Sequence, residues 1–483
     1  MCGIIGIYFK NPQKAFPLAL CAAGGVQHRG QQGAGVAIKT KKDLIITRSD
    51  GLLRQIFPSA VIPSFDVESK WILVHCRYGT SGDYDERNLQ PCIAKYKSSL
   101  AAVVHNGEFT SVNVLRRKIP VNLPERLSDS YVFTKFFENE SGKNWQEKLI
   151  NSLGKAKGSY SLIIGAEEEM FVARDNFGIR PLVFGEIENG WIFASETHAL
   201  AKIHAKLKRE IAPGEIIKVT KEGLVSLKKG EKKVNFFCDF EWAYFSRPDS
   251  IANTNEMKSQ GNKSDLWLSF SSFRNRCGKI LAKEFPIKAD FVVGIPDSGL
   301  PVATGYAKTL KIPYQQYIIR DHFDENGLFR LFMRDDQKKQ ISQKVLGKLS
   351  LIPDLKAWKN KIVVLGDDSI VRGNVSKEIT KAVFEAGARE VHWIIGFPPV
   401  SFPCHLGISI RTKEELIAAS CQNSKEIALK IGATSVNYIS SVGFIKARKL
   451  FSKLKKAGQK ERIFLENNGC GGCVTGNYPI NKN

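Results

Sequence analysis

The sequence predicts a two-domain chain that joins an α+β part to an α/β part: sheets stacked with helices over residues 2–235, and a doubly wound parallel sheet over residues 236–483. Two patterns carry this reading. Up to about residue 235 the chain holds short, β-rich apolar runs broken by Gly turns, and beyond about residue 265 buried-looking strands alternate with helical patterns. Alternation of that kind builds a parallel sheet whose ligands sit beyond the carboxyl ends of its strands. The composition agrees: 483 residues with 43% apolar, 10% aromatic and 25% charged side chains suit two or three cored domains and exclude disorder and a coiled coil.

The strands follow in order. Ile4–Phe9 comes first; it has no basic leader and meets Lys10 and Pro12 too soon for a signal peptide, so it reads as a buried strand of an intracellular, cytoplasmic protein. Trp71–His75, Ala101–His105, Tyr160–Gly165, Leu182–Gly185, Trp191–Ala194 and Glu215–Val219 continue the first part. A Lys- and Gly-rich stretch at Thr220–Val234 and a polar one from Phe245 to Asp265 put the boundary nearby. Then come Phe291–Ile295 with a helix from Leu300, Ile362–Leu365 with a helix from Ser376, and Val391–Phe397. No internal repeat occurs, and no apolar run reaches the roughly 18 residues of a membrane helix, so no membrane partner is expected.

The chain carries 71 Lys and Arg against 48 Asp and Glu, a formal charge of +23. Zinc-finger spacing, RNP patterns and basic heptads are all missing, so a nucleic-acid partner would rest on charge alone and is not expected. Part of the surplus lies between Lys446 and Arg462, where eight basic residues accompany Leu450, Phe451 and Leu454 on one side of an expected amphipathic helix. Ten cysteines are too few and too uneven for a disulfide scaffold. Only Cys470 and Cys473 form a C-x-x-C, which suits a soft metal, an iron–sulfur cluster or a redox couple without choosing among them.

Chemistry concentrates in two places. Cys2 follows Met1, and removal of Met1 gives a thiol and an α-amine on one residue; the amine, with an ordinary pKa near 8, can act as the thiol's own base. Polar turns follow it: His28-Arg-Gly-Gln-Gln-Gly-Ala-Gly35, His75-Cys-Arg-Tyr-Gly-Thr-Ser-Gly82, His105-Asn-Gly-Glu108 and Ser128-Asp129-Ser130. Far downstream, Ile362-Val-Val-Leu-Gly-Asp-Asp-Ser-Ile-Val-Arg-Gly-Asn-Val-Ser376 is a strand ending in adjacent carboxylates, then a Gly-containing turn opening onto a helix. The carboxylates can hold a sugar diol, and the turn and helix N-terminus can receive a phosphate monoester. It is no nucleotide P-loop, for G-x-x-x-x-G-K-[ST] does not occur.

The N-terminal turns resemble the glutamine amidotransferase domain of the N-terminal-nucleophile class, which implies a four-layer αββα sandwich. That resemblance implies Cys2 as the nucleophile on the glutamine amide, Arg77 on the α-carboxylate, Asp129 on the α-ammonium, and Asn106 with the Gly107 N–H as oxyanion hole. The three histidines His28, His75 and His105 read as structural. The downstream segment resembles the phosphoribosyl-pyrophosphate motif of type I phosphoribosyltransferases, in detail that of the amidophosphoribosyltransferase family. The likeness continues in Ala173–Leu182, Ala194–Thr197, Tyr244–Ser250, Pro296–Gly299, Gly387–His392, Lys413–Ala418 and Thr475–Pro479. It implies that Ser298, Asp367 and Asp368 hold one Mg²⁺ and the ribose hydroxyls, and that Ser369, Arg372, Gly373, Asn374 and Ser376 belong to the phosphoribosyl pyrophosphate site.

One branch of the family carries a [4Fe–4S] cluster. The resemblance implies Cys238, Cys404, Cys470 and Cys473 as its ligands, with Zn²⁺ in the same cage as the alternative. It further implies a homo-oligomer, dimer or tetramer, inhibited by purine nucleotides. The activity implied is transfer of glutamine-derived ammonia to phosphoribosyl pyrophosphate, giving 5-phosphoribosylamine, pyrophosphate and glutamate in purine synthesis. Departures from the family pattern motivate the alternative of a weakened or regulatory paralogue: Gln31-Gln32-Gly33 for Gln-Asp-Ser, Tyr78-Gly79-Thr80-Ser81 for Tyr-Ser-Thr-Thr, Gly366 for an apolar residue, Asn374-Val375 for Thr-Thr, a longer Arg320–Arg330 loop, and Gln340 for Arg.

Overall fold

The computed structural model describes residues 1–79, 85–230, 235–253, 267–320, 349–449 and 462–481. Most of the Arg320–Arg330 loop, Gln340, Thr80, Ser81 and the 450–461 stretch of the expected basic helix lie outside the described residues. Two units emerge: Met1–Phe237 with Cys404–Ser409 and the C-terminal residues from Pro479, and Cys238–Pro403 with Ile410–Tyr478. The expected boundary at residue 235 is a single cut, whereas two short downstream stretches group with the first unit.

The first unit is built on two antiparallel sheets. One has seven strands, in spatial order Lys206–Glu210, Val183–Ile187, Gly190–Ala194, Gly3–Lys14, Glu68–Arg77, Gly33–Lys39 and Leu44–Asp50; the other has six, Gly223–Lys228, Ile216–Thr220, Glu169–Arg174, Ser159–Ala166, Ser99–Glu108 and Cys92–Tyr96. The period-2 pattern of the first strand explains the layering. Ile4 and Tyr8 enter a core shared with Leu73, Val104, Ile163 and Val172 of both sheets. The alternate residues Ile5, Ile7 and Phe9 face Phe16, Ala19 and Ala23 of the helix Phe16–Gly24. On the far side, Phe133, Phe137 and Leu149 of the helices Asp129–Asn139 and Trp145–Lys155 cover Val103, Leu162 and Phe171. Helix, sheet, sheet and helix make the four αββα layers.

Close packing between the sheets uses glycine against bulk. A Cβ at Gly6 would lie 2.7 Å from Ile163, and one at Gly165 would lie 2.6 Å from the Trp71 ring. Each bulky side chain fills the space the glycine leaves, which pins both strands in register.

The second unit has a five-stranded parallel sheet in the order Tyr314–Gln315, Phe291–Gly294, Ile362–Asp367, Glu390–Ile395 and Ser435–Tyr438. The helix Asn374–Glu385 puts Ile379 and Val383 on one face, against Val363, Leu365, Val391 and Trp393. On the other face the helix Leu300–Leu310 approaches so closely that a Cβ at Gly366 would stand 2.7 Å from Ala303 Cβ. This accounts for Gly366 where the family pattern has an apolar residue: the helix occupies the volume that side chain would need. Val375, the other apolar departure, is partly buried against the same core as Ile379.

Candidate active sites

In the first unit, Cys2 sits at the start of the strand Gly3–Lys14, whose Gly3 pairs with Cys76 beside Arg77. Its thiol lies between backbone groups of Tyr78: the Tyr78 N–H donates to Sγ at 3.5 Å, and Sγ lies 3.6 Å from the Tyr78 carbonyl. Arg29, fully buried, donates from Nε to the Cys2 carbonyl at 3.0 Å and from Nη1 to Glu196 at 2.5 Å. His28 Nε2 meets the same Glu196 oxygen at 2.9 Å. The Cys2 backbone is thus held by a buried ion pair built from two polar turns. Arg29→Ala is expected to destabilise the protein by about 3–5 kcal/mol, because Glu196 loses its permanent cation; a lower urea midpoint at unchanged m checks it.

Asn106 and Gly107 close the strand Ser99–Glu108. By strand periodicity Cys2 shares a face with Ile4, and Asn106 with Val104; Ile4 and Val104 belong to one core. The same end of the two sheets also gathers charge, for burial and then Arg77, His105 and the chain N-terminus push the His75 pKa well down. Asn106 is fully buried, and among the described residues neither its amide nitrogen nor its amide oxygen has a hydrogen-bond partner. A buried unpartnered amide is rare and costly.

Asp129 opens the helix Asp129–Asn139, which Ser128 caps by accepting from the Tyr131 N–H. Its carboxylate, buried, accepts from the Phe109 N–H at 2.8 Å and stands 3.8 Å from His105 Nδ1. His105 is fixed in turn by Ser130 Oγ at 2.8 Å, and Gln90 reaches both Ser130 Oγ and the His105 N–H. Burial lowers the His105 pKa, so it remains a neutral hydrogen-bonding strut. Gln32, at one of the departures, accepts from the Gly79 N–H at 2.6 Å and so anchors the turn after Arg77. Sequence reasoning passed over Glu196, Gln90 and Ser130 as partners, although Glu196 and Ser130 stand inside motifs it quoted.

In the second unit, Asp367 and Asp368 end the central strand of the sheet. Asp368 is buried, accepting from Ser369 Oγ at 2.6 Å and, through a short contact, from Ser298 Oγ. The Asp368 N–H donates to Asp367 Oδ1 at 2.8 Å. Gly299 lets the Ser298 loop sit against this strand end, since a Cβ there would meet the Gly366 carbonyl at 2.5 Å. Burial and then the negative charge of Asp368 push the Asp367 pKa well up, and burial raises that of Asp368. Two crowded carboxylates of this kind favour a cation. Among the described residues no three His, Cys, Asp or Glu side chains are grouped to hold an ion; two carboxylates suffice for Mg²⁺ when substrate phosphates complete its shell.

The turn after them differs from its expected form. Arg372 is ion-paired with Glu415, which also accepts from the Arg411 and Thr412 N–H groups at 3.1 and 3.2 Å. Ser376, buried, donates to the Gly373 carbonyl at 3.1 Å. What the turn offers a phosphate is backbone: Gly373, at φ +80°, heads the helix Asn374–Glu385 with no side chain capping its first N–H groups.

Of the four cysteines, Cys238, Cys470 and Cys473 are buried in the second unit, and Cys404 groups with the first. The backbones of Cys238 and Cys470 pair as an isolated parallel β-bridge, and the Asp239 N–H donates to the Cys470 carbonyl at 3.1 Å. The Gly471-Gly472 link lies between aromatic rings, where a Cβ would come 2.2 Å from Phe464 and 2.3 Å from Tyr478. The donor type and this backbone proximity suit a thiolate-bound group, although no three side chains converge as a cage among the described residues.

Comparison with known proteins follows the same division. A family model described as a glutamine amidotransferase domain matches residues 75–202. The chain is 35% identical to an amidophosphoribosyltransferase of Synechocystis sp., across 99% of this chain and 91% of that protein. It is 33% identical to that of Methanocaldococcus jannaschii, across 100% and 98%. It is also similar to the solved Bacillus subtilis glutamine phosphoribosylpyrophosphate amidotransferase complexed with ADP and GMP, with a TM-score of 0.83 and 32% identity over 100% of this chain and 98% of that one. At that identity over nearly the whole of both chains, this protein belongs to the amidophosphoribosyltransferase family.

Proposed function

We infer that the chain transfers ammonia from glutamine to C1 of phosphoribosyl pyrophosphate, giving 5-phosphoribosylamine, pyrophosphate and glutamate, the first step of purine biosynthesis. The observation that carries this is the presence, in one chain of the family, of the unpartnered Asn106 amide beside the Cys2 strand and of the Asp367-Asp368 pair at an uncapped helix start.

With Met1 removed, the α-amine takes the Cys2 proton and the thiolate attacks the glutamine side-chain carbonyl carbon. The tetrahedral oxyanion is received by Asn106 Nδ2 and the Gly107 N–H, which are held in place before the reaction. Arg77 and Asp129 bind the substrate's α-carboxylate and α-ammonium. Collapse breaks the C–N bond, the amine returns the proton to the leaving nitrogen, and a γ-glutamyl thioester remains for water to hydrolyse. At the second site ammonia attacks C1 from the face opposite pyrophosphate. Asp367 and Asp368 orient the ribose hydroxyls, and the Gly373–Ser376 turn binds the 5′-phosphate through its N–H groups. Mg²⁺ held by Asp367, Asp368 and Ser298 would neutralise charge on the departing pyrophosphate.

We further propose that Cys238, Cys404, Cys470 and Cys473 hold a [4Fe–4S] cluster with a structural role, Zn²⁺ being the alternative, and that purine nucleotides inhibit a homo-oligomeric enzyme. One preparation tests both levels. Purified anaerobically, the protein is expected to sustain many turnovers of phosphoribosylamine per chain and to show visible cluster absorption with matching iron and sulfide. Absent turnover would overturn the activity; a zinc-only or metal-free protein would refute the cluster.

A further inference from the structure

The stretch Cys404–Ser409 groups with the first unit, and its backbone lies against the strand end that carries Asn106 and Gly107. Gly407, at φ +95°, is so close that a Cβ on it would stand 3.0 Å from the Gly107 carbonyl carbon, 3.1 Å from its oxygen and 3.2 Å from its Cα. Gly107 is itself confined: a Cβ there would come 2.0 Å from the Ser159 carbonyl. The neighbouring Leu406 carbonyl is anchored twice. Ser159 Oγ donates to it at 2.9 Å across 247 residues of sequence, and Arg180 Nη2 makes a short contact to the same oxygen. Both donors are fully buried.

We propose that Leu406 and Gly407 are positioning residues of the glutaminase reaction, a backbone clamp that fixes the Gly107 N–H where the oxyanion develops. Ser159 and Arg180 hold the Leu406 carbonyl, this sets Gly407 against Gly107, and the strand Ser159–Ala166 pairs with the strand that carries Gly107. An oxyanion donor works only at a defined distance from the developing charge, so a shift of a few tenths of an ångström in Gly107 is read in the chemical step rather than in substrate affinity. The proposal rests on Asn106 and Gly107 forming the oxyanion hole.

The test uses the full-length protein with two nitrogen donors. Gly407→Ala is expected to lower glutamine-dependent kcat at least tenfold, with the KM for glutamine within threefold, ammonia-dependent synthesis within twofold, and alkylation of Cys2 by iodoacetamide, which forms no oxyanion, within twofold of wild type. Ser159→Ala, which adds no atoms, is expected to give the same split at several-fold and serves if Gly407→Ala does not fold. The clamp is overturned if glutamine-dependent kcat stays within twofold in both variants, or if both nitrogen donors lose activity in parallel. Asn106→Ala measured beside them separates the two levels: its full retention of glutamine-dependent kcat defeats the oxyanion-hole reading, whereas its loss alongside an unaffected Gly407→Ala defeats only the clamp.

Discussion

Cys2→Ala is expected to cut phosphoribosylamine formation from glutamine by roughly 10⁴-fold or more while leaving synthesis from added ammonium salt at the wild-type rate. The asymmetry follows from the division of labour. In the proposed mechanism the thiol is the group that bonds covalently to glutamine, so binding and oxyanion stabilisation would have nothing to act on without it. Ammonia from solution bypasses that step and meets an unaltered second unit. Little else changes, for Sγ meets the Tyr78 backbone and the strand below it stays packed through Ile4 and Ile5. Steady-state rates with each donor decide the matter. Loss of both would sink the assignment of Cys2 to ammonia release alone.

The complementary variant is Asp367→Asn. It should depress synthesis from both nitrogen donors by about 10²–10³-fold, the scale for removing one preorganised electrostatic group from a reaction that develops charge. Hydrolysis of glutamine to glutamate should continue. The replacement is nearly isosteric, and its amide oxygen can still accept from the Asp368 N–H, so the strand end keeps its shape. What it removes is one of two crowded carboxylates; burial and then the charge of Asp368 hold the Asp367 pKa up, and the pair favours a bound cation. Added Mg²⁺ should therefore restore less activity at any given concentration than in the wild type. Glutamate release measured in the same assay identifies the lesion; if it disappears too, the carboxylate serves more than the second site.

How far the sequence could be read depended on whether the deciding contacts were local. Runs such as Trp71–His75 and Ala101–His105 carry their own strand signal, and they recur inside the observed strands Glu68–Arg77 and Ser99–Glu108. Gly33–Lys39 and Lys206–Glu210 escaped notice because one is largely small residues and the other mostly charged; each is a strand only because a neighbour pairs with it. The expected helix from Ser376 begins at Asn374, since Gly373 in the left-handed region supplies the start that a capping side chain usually announces. Among site residues, Cys2, Asn106, Asp129 and the Asp367-Asp368 pair stood out as residue types in suggestive turns. Glu196 as partner of Arg29, Glu415 as partner of Arg372 and Leu406 as partner of Ser159 did not, because nothing local links residues that far apart. The Gly366 departure, which suggested weakening, instead reflects the close approach of Ala303.

The buried Asn106 amide, unpartnered among the described residues, has a thermodynamic consequence for the fold as a whole. A buried polar group left without a partner costs about 1–3 kcal/mol, against a typical total stability of about 5–15 kcal/mol. On the oxyanion-hole reading, an arriving substrate oxygen would relieve that cost at the Asn106 amide, which has no partner among the described residues. With Asn106 in the proposed oxyanion hole, selection for robustness and selection for turnover would pull in opposite directions at position 106: an apolar side chain of similar volume would settle the core and silence the site. In this unit, heat resistance at that position would be a symptom of lost chemistry.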